Sequence, residues 1–226
     1  MSTSSHNLVI VAHPDDESIY FSGLMRQMRT LPWKVICVTD GDADGAADRR
    51  MNQLERACES LKVDSIEHWD YPDIFEKRLD VDHLSKKLEK LQKQNQIYTH
   101  GILGEYGHPH HQDVSYVVHK VWSKKVDVYS IAYNCFPDMK IELTQRDYDL
   151  KTYVLSEIYG SEINRFANLV PGTSCEGFAK VEWDEVQAIY RALTTKESLN
   201  VEKLNKYRWL AKHIQTTLSQ PKDRLF

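Results

Sequence analysis

The run Leu8-Val9-Ile10-Val11-Ala12-His13-Pro14-Asp15-Asp16-Glu17-Ser18 holds two kinds of order in succession. Leu8 to Ala12 is apolar throughout and bounded by polar residues, the mark of a short strand buried on both faces. Past Glu17 the spacing changes. Phe21, Leu24, Met25 and Met28 fall at i, i+3, i+4 and i+7, the stripe of a helix with one buried face. A histidine and two adjacent carboxylates therefore stand where a strand hands over to a helix, and charge is rarely set there for stability. Pro14 restrains the turn, and the positive end of the helix dipole favours ionised acids beside it.

The same grammar returns at Gly107-His108-Pro109-His110-His111-Gln112-Asp113. This cluster follows the short apolar segment Gly101-Ile102-Leu103, read as a strand. It precedes a second helical stripe: Val114, Val117, Val118, Val121 and Trp122. Imidazoles and a carboxylate from two separated loops form a zinc-type donor set, because zinc takes three protein ligands and leaves a position for water.

Outward from these two turns, strands and helices alternate. Lys34 to Thr39 reads as a second strand, ending in the acidic loop Asp40 to Asp48. Leu54, Ala57, Cys58 and Leu61 mark a helix, Ser65 to Trp69 a weaker strand, and Leu84, Leu88 and Leu91 another helix. A fifth strand falls near Asp127 to Tyr133. Alternation of this kind predicts an α/β fold, a three-layer Rossmann-like sandwich on a mainly parallel sheet, with strand order starting 3-2-1-4-5. In that order strands 1 and 4 are neighbours where the winding reverses, and ligands bind outside the carboxyl ends of strands at such a point. His13, Asp15, Asp16, His108 and His111 then converge by topology.

The remainder, 136–226, reads as a helical C-terminal layer on a 1–135 core, the whole chain being one domain. Leu150 to Phe166 is predicted as a helix interrupted near Gly160, and Gly177 to Val181 as a short extended piece. Val186, Ile189, Tyr190 and Leu193 form a helical stripe, followed less cleanly by Leu199, Lys203, Tyr207, Leu210, Ile214 and Leu218.

Composition bounds the function. In 226 residues, a hydrophobic share of 41% fills a core. A net charge of −4 without a long basic stretch argues against nucleic acid as partner. Four dispersed cysteines, with no C-x-x-C, fit a reducing compartment. Met1 to Asn7 is polar and no run is long enough to span a membrane, so the expected location is cytoplasmic.

The chain is identified by these motifs as resembling the PIG-L/LmbE family of zinc-dependent N-acetylglucosamine de-N-acetylases. Ala12-His13-Pro14-Asp15-Asp16-Glu17 is identical to the family's AHPDDE motif. His108-Pro109-His110-His111 resembles its HPDH motif, with His110 where aspartate is usual. Arg50-x-x-Gln53-Leu54 and Leu61-Lys62-Val63 resemble R-x-x-E-L and LGV, with Gln53 and Lys62 departing. The resemblance implies zinc as cofactor, held by His13, Asp16 and His111. It also implies Asp15 as general base, His108 as the group that polarises or protonates, and a small amino sugar as substrate.

Amide hydrolysis needs a nucleophile, a place for oxyanion charge and a proton for the leaving amine. A three-ligand zinc lowers the pKa of a bound water to about 7 and polarises the carbonyl. Asp15 would take the proton of that water. His108, as an imidazolium, would hold the oxyanion and protonate the amine. Asp113 is a candidate acceptor for orienting a histidine ring. Asp42 and Arg50 are candidates for the mouth, binding sugar hydroxyls, against the plainer reading of Asp40 to Asp48 as a solvated loop. Glu105 and Tyr106 are candidates for lining the pocket, with Tyr106 offering a stacking face, against ordinary loop packing. His6, His68, His83, His100, His119 and His213 lack partners in sequence and default to surface or satisfied polar positions. Each role has a plainer rival: Asp15 as a helix cap, or the whole site as a non-catalytic sugar- or nucleotide-binding module. Hydrolysis of another amide or an ester is a third reading.

Overall fold

The computed structural model describes residues 6–212 apart from 44, 75–76, 93, 164–171 and 196. In chain order β1 (Asn7–Val11), α1 (Asp16–Gln27), β2 (Trp33–Thr39), α2 (Ala47–Leu61), β3 (Ser65–Tyr71), α3 (Val81–Glu89), β4 (Gln96–Thr99), α4 (Pro109–Trp122) and β5 (Asp127–Ile131) alternate. Then come β6 (Met139–Glu142), α5 (Gln145–Tyr153), α6 (Gly160–Ile163), β7 (Cys175–Ala179) and α7 (Trp183–Thr194). The sheet runs β3-β2-β1-β4-β5-β7-β6. The first five strands are parallel, in the predicted order, and β7 and β6 add antiparallel at the β5 edge.

β1 is buried over its full length, as a strand flanked by two others and covered on both faces must be. Its alternate side chains enter two layers. Val9 and Val11 pack with Phe21, Leu24 and Met25 of α1 and Leu54, Ala57 and Cys58 of α2. Leu8, Ile10 and Ala12 pack with Leu84 and Leu88 of α3 and Val114, Val117 and Val118 of α4. All four cysteines are free. Among the described residues no helix is long and apolar enough to cross a membrane.

Two predicted elements need correction. The fourth strand is Gln96–Thr99, and Gly101-Ile102-Leu103 lies in the turn beyond it, closed by Gly104 N–H on Gly101 O at 2.8 Å. Ile102 is buried against α7 and not within the sheet, so its apolarity mimicked a strand. The C-terminal layer is not helical throughout, since β6 and β7 complete the sheet. β7 overlaps the extended piece predicted over Gly177 to Val181 but begins earlier, at Cys175. Glu176 on it is buried, taking Lys151 Nζ at 2.9 Å and the Gly23 and Leu24 N–H groups at 2.9 Å.

The predicted interruption near Gly160 is present. α5 continues into a π-helical turn over Val154–Ile158 and breaks at Tyr159 before α6. Phe166, Ile214 and Leu218 lie outside the described residues, as does His213; Val201–Lys203 and Arg208–Lys212 form short 3-10 turns.

Candidate active site

The strand order sets the turn after β1 beside the turn after β4, and the two clusters meet there. His13 Nδ1 stands 3.1 Å from His111 Nε2, and Asp16 Oδ2 is 3.4 Å from each. All three side chains are buried. Asp16 is turned inward by the His13 N–H, which donates to Oδ2 at 2.8 Å. His111 Nδ1 faces Glu105 Oε2 at 2.5 Å; a carboxylate only accepts, so that nitrogen carries the hydrogen and Nε2 presents its lone pair. Lone pairs from His111 and Asp16 thus converge on His13, and a cation is what stabilises such a gathering.

The donor set fits zinc. At metal–ligand distances of about 2.0–2.1 Å, the edges of a tetrahedron are roughly 3.3–3.4 Å, close to the separations seen. Without an ion, a proton on His13 answers the same demand. Burial opposes charge on His13, but the Asp16 and Asp73 carboxylates overrule it and lift it to about 10. Burial keeps His111 neutral, at about 4.

Asp15 sits at φ +122°, a backbone conformation that costs roughly 1–3 kcal/mol for a residue with a side chain. Its side chain makes no capping bond, which removes the plain helix-cap reading; its carbonyl caps α1 instead, accepting from Ser18 and Ile19 N–H at 2.9 Å. Glu17 Oε2 takes the Asp15 N–H at 3.0 Å, and Arg50 Nη2 reaches both Pro14 O and Asp15 Oδ2, at 2.5 and 3.1 Å. Burial lifts the Asp15 carboxyl to about 8, against the pull of Arg50.

His108 caps α4: its Nδ1 accepts the His110 N–H at 3.2 Å, which leaves the ring hydrogen on Nε2. Its ring meets that of His13 at 4.5 Å and stacks on that of His111 at 4.7 Å. Burial, then the neighbouring His13, His111 and His110, push it far below the ordinary histidine value. A resting imidazolium at His108, as expected from sequence, is disfavoured by these surroundings.

The predicted substrate-binding residues fall in different places. Arg50 is buried, its guanidinium committed to Pro14 and Asp15 and lying 3.7 Å from Glu162, so it braces the first turn from beneath. Glu105 is also buried, with Oε1 on Gly101 N–H at 2.7 Å and Oε2 shared by His111 and His100. It orients the histidines instead of lining a pocket, and those contacts hold it at about 2 although burial opposes its charge. Asp42 is exposed and accepts the Ala47 N–H at 3.0 Å where α2 begins. Tyr106 is 53% exposed, its ring edge-on to His111 at 5.5 Å and to His108 at 5.9 Å, and it forms a wall of the site. Asp113 orients no histidine: it takes Arg78 at 2.7 Å, the Leu79 N–H at 2.9 Å and the Tyr190 hydroxyl at 2.6 Å, pinning the loop before α3.

Two residues escaped the sequence reading. His100 is fully buried, accepts the Ala12 N–H on Nε2 at 2.9 Å and faces Glu105 with Nδ1 at 3.1 Å. Drawing the strand at 101–103 set His100 before it; drawn at 96–99, it places His100 just past the carboxyl end at the switch point. Asp73, beyond β3, lies 3.4 Å from both His13 Nε2 and His110 Nδ1, and no motif marked it. His110, also buried, hands its Nε2 hydrogen to Lys77 O at 2.7 Å.

A Rossmann-like α/β fold with a histidine–aspartate–histidine centre at its switch point defines the class. The chain belongs to the PIG-L (GlcNAc-PI de-N-acetylase) family, whose model matches residues 8–122. It is 30% identical over 129 residues to the uncharacterized protein L374 of Acanthamoeba polyphaga mimivirus, covering 50% of this chain and 56% of that one. It is 27% identical over 128 residues to the N-acetylglucosaminyl-phosphatidylinositol de-N-acetylase of Saccharomyces cerevisiae, covering 50% of this chain and 42% of that one. The aligned region thus spans about half the length of these curated relatives. Among solved structures, the N,N'-diacetylchitobiose deacetylase of Pyrococcus horikoshii superposes with a TM-score of 0.62 at 17% identity, over 78% of this chain and 83% of that one. The 4-carboxy-2-hydroxymuconate hydratase GalB of Pseudomonas putida KT2440 gives 0.50 at 19% identity, over 78% and 96%. These structural likenesses speak for the fold, which hosts more than one reaction.

Proposed function

We propose that the chain is a zinc-dependent hydrolase that removes the acetyl group from an N-acetylated amino sugar, free or within a glycoconjugate. The observation that carries this reading is the meeting of His13, Asp16 and His111 at 3.1–3.4 Å, with Asp15 and His108 beside them. Held by those three residues, a divalent ion would supply a Lewis acid for the acetyl oxygen and a lowered pKa for a water. The remaining work belongs to side chains. Asp15, clamped by Arg50, takes the proton of the attacking water and returns it to the leaving amine nitrogen. His108 donates from Nε2 to the oxyanion as it forms, a role for a neutral ring. Tyr106 gives the sugar an apolar face. Membership of the PIG-L family and the name of the yeast relative support an N-acetylglucosamine-type substrate. The free cysteines fit the reducing cytoplasm as its compartment.

Metal analysis of the purified protein and acetate release from a panel test this: N-acetylglucosamine, N-acetylglucosaminyl-phosphatidylinositol, an N-acetyl amino acid and an acetyl ester. Stoichiometric zinc and acetate from the sugars alone are expected. Absence of stoichiometric divalent metal, or turnover confined to the other substrates, overturns the reading. Asp15→Asn is expected to lower turnover by roughly 10²–10⁴-fold and to keep the metal, while His13→Ala loses both.

A further inference from the structure

His13 stands between two triangles of donors. On the Nδ1 side lie Asp16 Oδ2 and His111 Nε2, at 3.4 and 3.1 Å. On the Nε2 side lie Asp73 Oδ1 and His110 Nδ1, again at 3.4 and 3.1 Å, themselves 3.4 Å apart. One nitrogen of a neutral ring carries hydrogen and the other a lone pair, so what differs between the two sides decides the chemistry of the site.

The partners supply that difference. Lys77 O accepts from His110 Nε2 at 2.7 Å, so a neutral His110 ring turns the lone pair of its Nδ1 to His13. Asp73 offers only lone pairs. Both therefore call for a hydrogen on His13 Nε2, and a neutral His13 so protonated turns its own lone pair towards Asp16 and His111. Asp73 and His110 are buried and fastened: the Asp73 N–H donates to Asp40 Oδ1 at 2.9 Å, and the His110 N–H donates to His108 Nδ1.

We propose that Asp73 and His110 are positioning residues for His13, jointly accepting its Nε2 hydrogen and thereby presenting Nδ1 to the ion. The inference rests on the reading of His13, Asp16 and His111 as the metal centre. It gives His110 a task in this chain. Asp73 supplies the charge and His110 a neutral acceptor, whereas a second carboxylate at 110 would set two like charges against each other.

The test measures zinc affinity by competition with a chelator on the purified apoprotein, with proton–nitrogen correlations of the histidine rings in the zinc-loaded form. Wild type is expected to show His13 with hydrogen on Nε2. Asp73→Asn and His110→Phe are each expected to weaken zinc by about 10–100-fold. His110→Asn, whose amide oxygen replaces the Nδ1 acceptor, is expected to stay within a few-fold of wild type, a rescue that a merely space-filling role would not show. Wild-type affinity in both Asp73→Asn and His110→Phe overturns the proposal. So does zinc loss as complete as in His111→Ala, which would make these residues ligands. The two readings fail separately. Zinc retained by both His13→Ala and His111→Ala removes the metal centre itself. Zinc lost there but held at wild-type affinity in the other two variants removes only the positioning role.

Discussion

Asp15 shows how a single residue is held against its own preference. Its φ of +122° is maintained by Glu17 on its N–H, by Arg50 on its carboxylate, and through Glu17 by the Tyr159 hydroxyl at 2.9 Å. Such strain persists where surroundings over-determine it, and it keeps the Asp15 side chain at one place beside His13 and Asp16. Away from the site, His119 offers a pH-dependent test. It is fully buried, with Nδ1 on Ser115 O at 2.8 Å and Nε2 against the Ser130 hydroxyl at 3.2 Å, so the neutral ring uses both nitrogens. Burial depresses it from 6.5 to about 4. The unfolded chain binds the extra proton between those values, so this contribution is whole above pH 6.5 and is lost as pH falls towards 4. Urea unfolding should show wild type losing about 2 kcal/mol more than His119→Gln between pH 7.5 and 5.

Among elements, the carboxyl end of α2 carries a small defect. Lys62 caps it in the left-handed region at φ +62°, with its N–H on Cys58 O and Glu59 O. Glycine, the residue of the family's LGV pattern, adopts that conformation without the side-chain clash. Lys62→Gly is therefore expected to raise the free energy of unfolding by about 1 kcal/mol, measured in denaturant, with activity unchanged. The tie between α5, β7 and α1 is a second case. Lys151 and Glu176 form a buried pair at 2.9 Å, and Glu176 also holds two N–H groups of α1. Lys151→Met leaves a buried carboxylate without its counter-charge, and a loss of about 3–5 kcal/mol should appear in the same assay.

At the scale of the whole molecule, the reversal of winding between β1 and β4 brings residues 98 positions apart within hydrogen-bonding distance, as His13 Nδ1 and His111 Nε2 are at 3.1 Å. Folding must be complete for both turns to hold one ion, so an ion bound there favours the native state by mass action. Free zinc at about 100 times its dissociation constant is expected to add about 2.7 kcal/mol to the free energy of unfolding, and a chelator to remove it. Calorimetry of wild type and His111→Ala checks this, the variant being expected to show no zinc-dependent shift.

Local pattern was enough for β1, β2, β3 and β5, because burial on both faces and helical spacing are written in the identity of each residue. The strand order and the approach of the two turns followed from the rules of winding; β4 alone was set past its true end, at 101–103 instead of Gln96–Thr99. The motif residues His13, Asp15, Asp16, His108 and His111 were legible for the same reason. Partners decided the rest. Glu105 and Arg50 look like polar residues for a ligand until the fold buries them beneath the histidines and Asp15. His100 and Asp73 look ordinary until β4 and β3 deliver them to the site. Glu176 carries no mark of burial in the sequence, and the fold sets it against Lys151. A charged side chain announces its charge in the sequence, but whether it faces water, a ligand or an opposite charge depends on what the fold brings within a few ångströms of it.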